Sequence, residues 1–134
     1  MRSINQPYNW MKLMMVSNKT PQVQQGDIWL VDFNPTKGHE MQKIRPAVVI
    51  NGNFSVGLDL KIVVPITSWN KEYVLIWWLY KLSPDKTNGL NTISAVNCYQ
   101  MRCVTETRFT KYLGSTGNNL EEIVATAQNC LELY

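Results

Sequence analysis

Little in this 134-residue sequence points to metal, disulfide or membrane chemistry. There is one histidine, His39, and there are three cysteines, Cys98, Cys103 and Cys130. The odd count, with no Cys-x-x-Cys and no Cys/His cluster, argues against a disulfide framework and against zinc. Reduced thiols are the simplest account and point to a cytoplasmic chain. No stretch reaches the roughly 20 apolar residues that a membrane span needs. The longest apolar run, VLIWWLY (74–80), has the length of a strand. The N-terminal MRSINQPYNWMKLMMV carries one Arg and a short apolar piece broken by Lys12. It lacks a long apolar region and a small-residue cleavage site, so it makes a poor signal peptide.

Strong charge is also missing. The formal net charge is +3, with 17% of residues charged and 45% hydrophobic, ordinary for a globular domain. The small excess is unevenly spread. From Tyr112 onward there are Glu121, Glu122 and Glu132 but no Lys or Arg, so all 13 cations lie in residues 1–111. A basic body permits an anionic partner such as nucleic acid, although random surface charge gives the same total. The length suggests one domain, able to bury a core without disulfide staples.

Residues 1–24 are polar, Asn/Gln-rich and interrupted by Pro7 and Pro21. We read them as a loosely ordered extension ahead of a domain over 25–134, with Met11, Met14 and Met15 as alternative starts. The domain then reads as short apolar segments between turn residues. GDIWLVDF (26–33) is rich in β-formers and ends at Asn34-Pro35, a turn signal. PAVVI (46–50) is a continuous β-branched run, as in a strand buried on both faces. KIVVPIT (61–67) is a third strand, which Pro65 assigns to an edge or a bulge. VLIWWLYKL (74–82) is a fourth, whose adjacent Trp77 and Trp78 would face opposite sides, one of them in the core. TISAVN (92–97) and YQMRCV (99–104) follow. Asn119 ahead of LEE resembles a capping box, and Leu120, Ile123, Val124, Ala127 and Leu131 recur at helical spacing. The fold class is therefore mostly β (α+β): about six short strands in a bent sheet or barrel, closed by a C-terminal helix.

The densest chemistry lies in GHEMQKIRPAVVI (38–50). Pro46 holds Arg45 extended, at the mouth of its strand. Glu40 and Arg45 lie five residues apart and can converge. Thr67 and Ser68 end another strand, at PITS (65–68), and share a rim with Arg45 if the two strands are neighbours. Such a set suits RNA, whose ribose 2′-OH is an internal nucleophile and needs no metal. A base must take its proton, fixed charge must hold the phosphorane oxygens, and an acid must protonate the departing 5′ oxygen. Glu40 can serve as the base. Arg45 offers a planar donor fork, and Thr67 a hydroxyl. An arginine holds its proton too tightly for literal donation, and His39 is a candidate acid. The same spacing also fits a surface ion pair worth about 0–1 kcal/mol and a turn-capping threonine.

These residues carry a likeness. GDIWLVDFNPTKGHEMQKIRPAVVI (26–50) resembles the opening signature of the MazF/PemK-type toxins of type II toxin–antitoxin systems. PITS resembles that family's second strand-end motif, and CYQMRCVTETRF (98–109) its segment leading to the closing helix. The resemblance implies an SH3-like plasmid-toxin barrel acting as a homodimer, without cofactor or metal. It implies a toxin endoribonuclease that cuts single-stranded RNA at a short sequence, leaving 2′,3′-cyclic phosphate and 5′-hydroxyl ends. It assigns catalysis to Arg45 and Thr67, with Glu40 as third member, and RNA binding to Gln100. It also implies a cognate antitoxin whose acidic disordered tail fills the RNA groove.

Other residues fit that reading as RNA contacts. Lys37 and Lys43 are candidates for the phosphate chain, as are Ser68 and His39 beside the site. Trp69 is a candidate for base stacking, and Arg102 for phosphate contact or a dimer brace. The competing reading is a non-enzymatic toxin of the same fold that binds a protein target such as DNA gyrase, for which a phosphate-gripping arginine has no use.

Overall fold

The computed structural model describes residues 23–55 and 58–132. Residues 1–22 of the N-terminal extension, with the alternative starts, lie outside the described residues, whereas Val23 is buried in the core. Seven strands form: β1 (Asp27–Asp32), β2 (Ile44–Val49), β3 (Leu60–Ser68), β4 (Leu79–Leu82), β5 (Ser94–Asn97), β6 (Arg102–Thr105) and β7 (Phe109–Ser115). Among the described residues one α-helix, α1 (Leu120–Asn129), follows, and short 3-10 turns cover 53–55, 71–75, 98–100, 106–108 and 117–119. All pairings are antiparallel, in the order β4-β5-β3-β2-β1-β7, with β6 also on β3. The expected class is borne out.

The PAVVI run buries both faces, as its lack of alternation predicts. Val48 joins Ile28, Val64, Ile66 and Val96 beneath the helix residues Ile123 and Ala127. Ala47 and Val49 point the other way, into a second cluster with Trp29, Val31, Phe33 and Val63. Lys61 is also buried, and its ammonium lies 3.6 Å from a Glu106 carboxylate oxygen. A charge this deep requires such a partner.

Pro65 does not sit on an edge strand. It lies in the central β3, opposite Ala47 of β2. Ile62 donates its N–H to Asn51 Oδ1 and accepts from the Ile50 N–H, each at 2.9 Å, so it faces β2. Three residues on, Pro65 faces the opposite side, where β6 pairing ends at Val63 and β5 pairing starts at Ile66. The missing N–H falls in the gap between two partners.

The sequence reading is corrected at three further places. The fourth strand is Leu79–Leu82 only, because Asn70 accepts from the Glu72 N–H and starts a 3-10 turn over 71–75. Trp77 and Trp78 thus precede the strand and neither is core: Trp77 is 58% exposed and Trp78 half-buried. The strand β7, FTKYLGS, was missed. It is an edge strand with one buried residue and an interior glycine, so hydrophobic periodicity is weak there. The α1 helix forms, but Asn119 has helical backbone angles and makes no side-chain cap. Its Oδ1 instead accepts from the Tyr80 hydroxyl at 2.7 Å.

The sheet is not closed by strand pairing. The β4–β5 connection reaches the far edge instead: the Ser115 N–H donates to the Thr87 carbonyl at 2.8 Å. Two glycines allow this approach. A Cβ on Gly114 would lie 2.1 Å from the Thr87 oxygen, and one on Gly89 would lie 2.2 Å from the Leu113 oxygen.

Candidate active site

Continuing the β2–β3 register by two residues from Ala47–Pro65 brings Arg45 opposite Thr67. Their side chains meet: Arg45 Nη1 lies 3.5 Å from Thr67 Oγ1. Arg45 Nε donates to the Gln42 carbonyl at 3.1 Å, which pins the guanidinium under the β1–β2 loop. Both residues are half-buried. Among the described residues Arg45 has no carboxylate within ion-pair range. A fixed, partly desolvated guanidinium without a counter-charge is suited to an anion.

The loop above, residues 33–43, is fastened at several points. The Phe33 N–H donates to the Lys43 carbonyl and the Lys43 N–H to Asn34 Oδ1, each at 3.0 Å. Lys43 has φ 71°, the bend that turns the chain into β2. Arg102 Nη1 donates to the Phe33 carbonyl at 3.3 Å, and its guanidinium lies 5.7 Å over the Phe33 ring. Arg108 Nη1 donates to the Asp32 carbonyl at 2.9 Å and also to that of Asn34. Gln100 holds the far side of the loop. Its Oε1 accepts from the Met41 N–H at 2.6 Å, and its Nε2 donates to the His39 carbonyl at 3.1 Å.

Glu40 lies between the two residues that Gln100 grips. Its Oε1 accepts from the Lys37 N–H at 2.6 Å, and it forms no ion pair with Arg45. The convergence of Glu40 on Arg45 read from spacing is therefore not a direct contact, because the carboxylate closes its own turn. His39, Lys37 and Lys43 are exposed on the same loop, and Ser68 is exposed at the end of β3. Trp69 is half-buried just beyond, edge-on to Tyr73 at 5.8 Å. Arg102 braces the loop from beneath. Sequence reasoning overlooked Arg108 and Asn34 as loop fasteners. Arg108 is 74 residues from Asn34, and no local pattern reports such a contact. No group of three or more His, Cys, Asp or Glu that could hold a metal ion occurs among the described residues.

Comparison with known proteins gives the family. Residues 24–131 match the family model described as PemK-like, MazF-like toxin of type II toxin–antitoxin system. The chain is 31% identical over 121 residues to endoribonuclease PemK of Escherichia coli, covering 90% of this chain and 84% of that protein. That likeness is longer than the stretch from residue 25 to the C-terminus, so it takes in part of the N-terminal segment. The chain is 28% identical over 98 residues to endoribonuclease MazF9 of Mycobacterium tuberculosis, covering 69% of this chain and 80% of that protein. Among solved structures, MazF of Deinococcus radiodurans matches with a TM-score of 0.64 at 22% identity, over 84% of this chain and 94% of that one. A mycobacterial endoribonuclease in complex with its cognate antitoxin matches with a TM-score of 0.64 at 14% identity, over 84% and 97%. With a family model matched over most of its length, the chain belongs to the PemK-like, MazF-like toxins of type II toxin–antitoxin systems.

Proposed function

We propose that this toxin is an endoribonuclease that cuts single-stranded RNA at a short sequence, without a metal ion. The observation that carries the reading is the Arg45–Thr67 contact, a cation and a hydroxyl from adjacent strands meeting at one rim. The 2′-OH attacks the adjacent phosphorus, a 2′,3′-cyclic phosphate forms, and the 5′ oxygen leaves as a hydroxyl. Arg45 and Thr67 hold the phosphorane oxygens, where charge develops. Glu40 takes the 2′ proton. Lys37 occupies only its Oε1, and Oε2 has no protein partner among the described residues. His39, exposed on the same loop, is the candidate to protonate the leaving oxygen. Gln100, Lys37, Lys43, Ser68, Trp69 and Arg102 contribute to RNA binding.

The same reading includes a homodimer and a cognate antitoxin with an acidic tail that competes with RNA for the basic rim. Solved relatives bearing an antitoxin, such as MazE–MazF of Deinococcus radiodurans, support this partner class. The function is tested by incubating a long RNA with the protein in EDTA and mapping the ends. Discrete cuts with cyclic phosphate and 5′-hydroxyl ends are expected. RNA binding without cuts would remove the catalytic reading. Neither binding nor cutting would leave a protein target of the gyrase kind.

A further inference from the structure

Arg108 has no part in the chemistry proposed above, yet it holds the root of the loop that carries Glu40. Its Nη1 donates to the Asp32 carbonyl at 2.9 Å and also to that of Asn34. Between them, the Phe33 carbonyl accepts from Arg102 Nη1 at 3.3 Å. Two guanidiniums thus take the three successive carbonyls at the exit of β1. Phe33 and Asn34 in turn reach the other root of the loop. The Phe33 N–H donates to the Lys43 carbonyl, and Asn34 Oδ1 accepts from the Lys43 N–H. Lys43 stands two residues before Arg45. Arg108 is itself held from two sides, at the end of the 3-10 turn Glu106–Arg108. On one side the Glu106 N–H donates to the Asp59 carbonyl at 2.8 Å, and the Glu106 carboxylate lies 3.6 Å from the buried Lys61 ammonium. On the other, Phe109 starts β7 opposite Val31 and meets Trp29 edge-on at 5.7 Å.

We propose that Arg108 is a positioning residue for RNA cleavage. It acts through the Asp32–Asn34 backbone to set Glu40 and Arg45 relative to the phosphate, and it touches no RNA itself. The inference rests on the RNA-cleaving reading above. The Arg108 guanidinium is half-buried, and among the described residues no carboxylate lies within ion-pair range of it. Its partners are backbone carbonyls, so its planar fork fixes positions where a carboxylate partner would pair charge. Placement is what such a site needs, since a shift of about 1 Å in a reacting group can cost roughly 100-fold in rate. Loss of Arg108 therefore acts on kcat and leaves ground-state binding of RNA in place.

The test compares Arg108→Ala and Arg108→Lys with wild type in the full-length protein, on a single-site RNA taken from the mapped cuts. In Arg108→Ala, kcat should fall about 10- to 100-fold with KM within a few-fold. Arg108→Lys keeps the charge but loses the fork, so its kcat should stay low. Without RNA, hydrogen exchange at the Lys43 amide should speed about 10- to 100-fold in Arg108→Ala, as the root of the loop loosens. A kcat within a few-fold of wild type in Arg108→Ala would overturn the proposal. So would a raised KM at unchanged kcat, with an RNA affinity less sensitive to salt, since Arg108 would then grip the phosphate chain directly. Wild-type turnover in Arg108→Lys would overturn it too, charge alone being enough. If Arg108→Ala does not fold, Arg108→Lys keeps the aliphatic stem and carries the same kinetic and exchange tests. The two readings fail separately. A wild-type chain that cuts nothing removes catalysis, and the Lys43 amide then decides the loop-holding role: faster exchange in the variant supports it, and equal rates remove it. Normal wild-type cutting that is indifferent to Arg108 removes the proposal alone.

Discussion

Gln100 and Met41, 59 residues apart in sequence, are joined by a 2.6 Å hydrogen bond from the Met41 N–H to the Gln100 side-chain carbonyl. With the second bond to the His39 carbonyl, one side chain brackets the Glu40 backbone on both sides. Gln100 is therefore a positioning residue whatever else it contacts. Gln100→Ala should speed hydrogen exchange at the Met41 amide about 10- to 100-fold, as expected for two bonds of about 0.5–1.5 kcal/mol each. Exchange at the wild-type rate would show that the loop is held without it.

Arg45 and Thr67 differ in what their loss removes. Arg45→Ala should lower kcat/KM by about 100-fold or more, roughly 3 kcal/mol of transition-state stabilisation, with an unchanged circular dichroism spectrum. Arg45→Lys should not restore it, because an ammonium cannot hold the Gln42 carbonyl and a phosphate in one plane. Thr67→Val removes one hydrogen bond and should cost about 10-fold. An Arg45→Ala enzyme within a few-fold of wild type would falsify the assignment.

The alkaline limit of stability has an identifiable source. Burial pushes the Cys98 thiol up to about 12, with a smaller contribution from Cys130. Burial, with Glu122 nearby, pushes the Tyr80 hydroxyl up to about 12 as well. Both groups are held neutral in the folded chain, while the unfolded chain ionises near pH 9 to 10. The folded state then binds more protons than the unfolded state, so stability is full below about pH 9 and is lost as pH rises toward 12. Melting temperature should fall between pH 8.5 and 10.5, and less steeply in Cys98→Ala. Parallel slopes for the two proteins would exclude the thiol as a cause.

The crossing of β7 over the β4–β5 connection depends on a missing side chain. Gly114→Ala places a methyl group against the Thr87 carbonyl and should cost about 1–3 kcal/mol or more. Gly117→Ala, with open space around its Cβ, meets only backbone strain of roughly 1–2 kcal/mol. Asn88 at the same crossing is fully buried; its side chain accepts from the Asp85 and Leu90 N–H groups and donates to the Ser83 carbonyl. Asn88→Ala leaves these unpaired and should destabilise by about 1–3 kcal/mol. Urea midpoints would rank the variants. A Gly114→Ala midpoint above that of Gly117→Ala would rule out the close approach as a constraint.

Much of this architecture is legible in the chain itself. DIWLVD and PAVVI form strands because β-branched and aromatic side chains fit a pleated, buried surface, and Leu120–Asn129 is helical because its apolar residues recur at helical spacing. Those are local signals, and they hold where one element decides its own state. They fail where a neighbour decides. VLIWWLYKL reads as one long strand, yet Asn70 starts a 3-10 turn and leaves two tryptophans outside the sheet. FTKYLGS reads as polar connection, yet β1 recruits it as an edge.

The candidate site divides in the same way. Residue types and order single out Arg45, Thr67 and Glu40, because a phosphate-handling site needs a fork-shaped cation, a hydroxyl and a carboxylate; Gln100 enters only through the family resemblance. That Arg45 faces Thr67, that Glu40 caps its own turn instead of meeting Arg45, and that Arg102, Arg108 and Gln100 hold one loop are facts of tertiary structure. The Glu40 contact with the Lys37 N–H spans only three residues; the others join residues 22 to 76 positions apart and are set by strand register and loop closure. The sequence by itself determined most of the strands, the closing helix and the chemistry available; only the folded sheet decided the last edge strand, the extent of β4 and which of those groups meet, because these depend on neighbours distant in the chain.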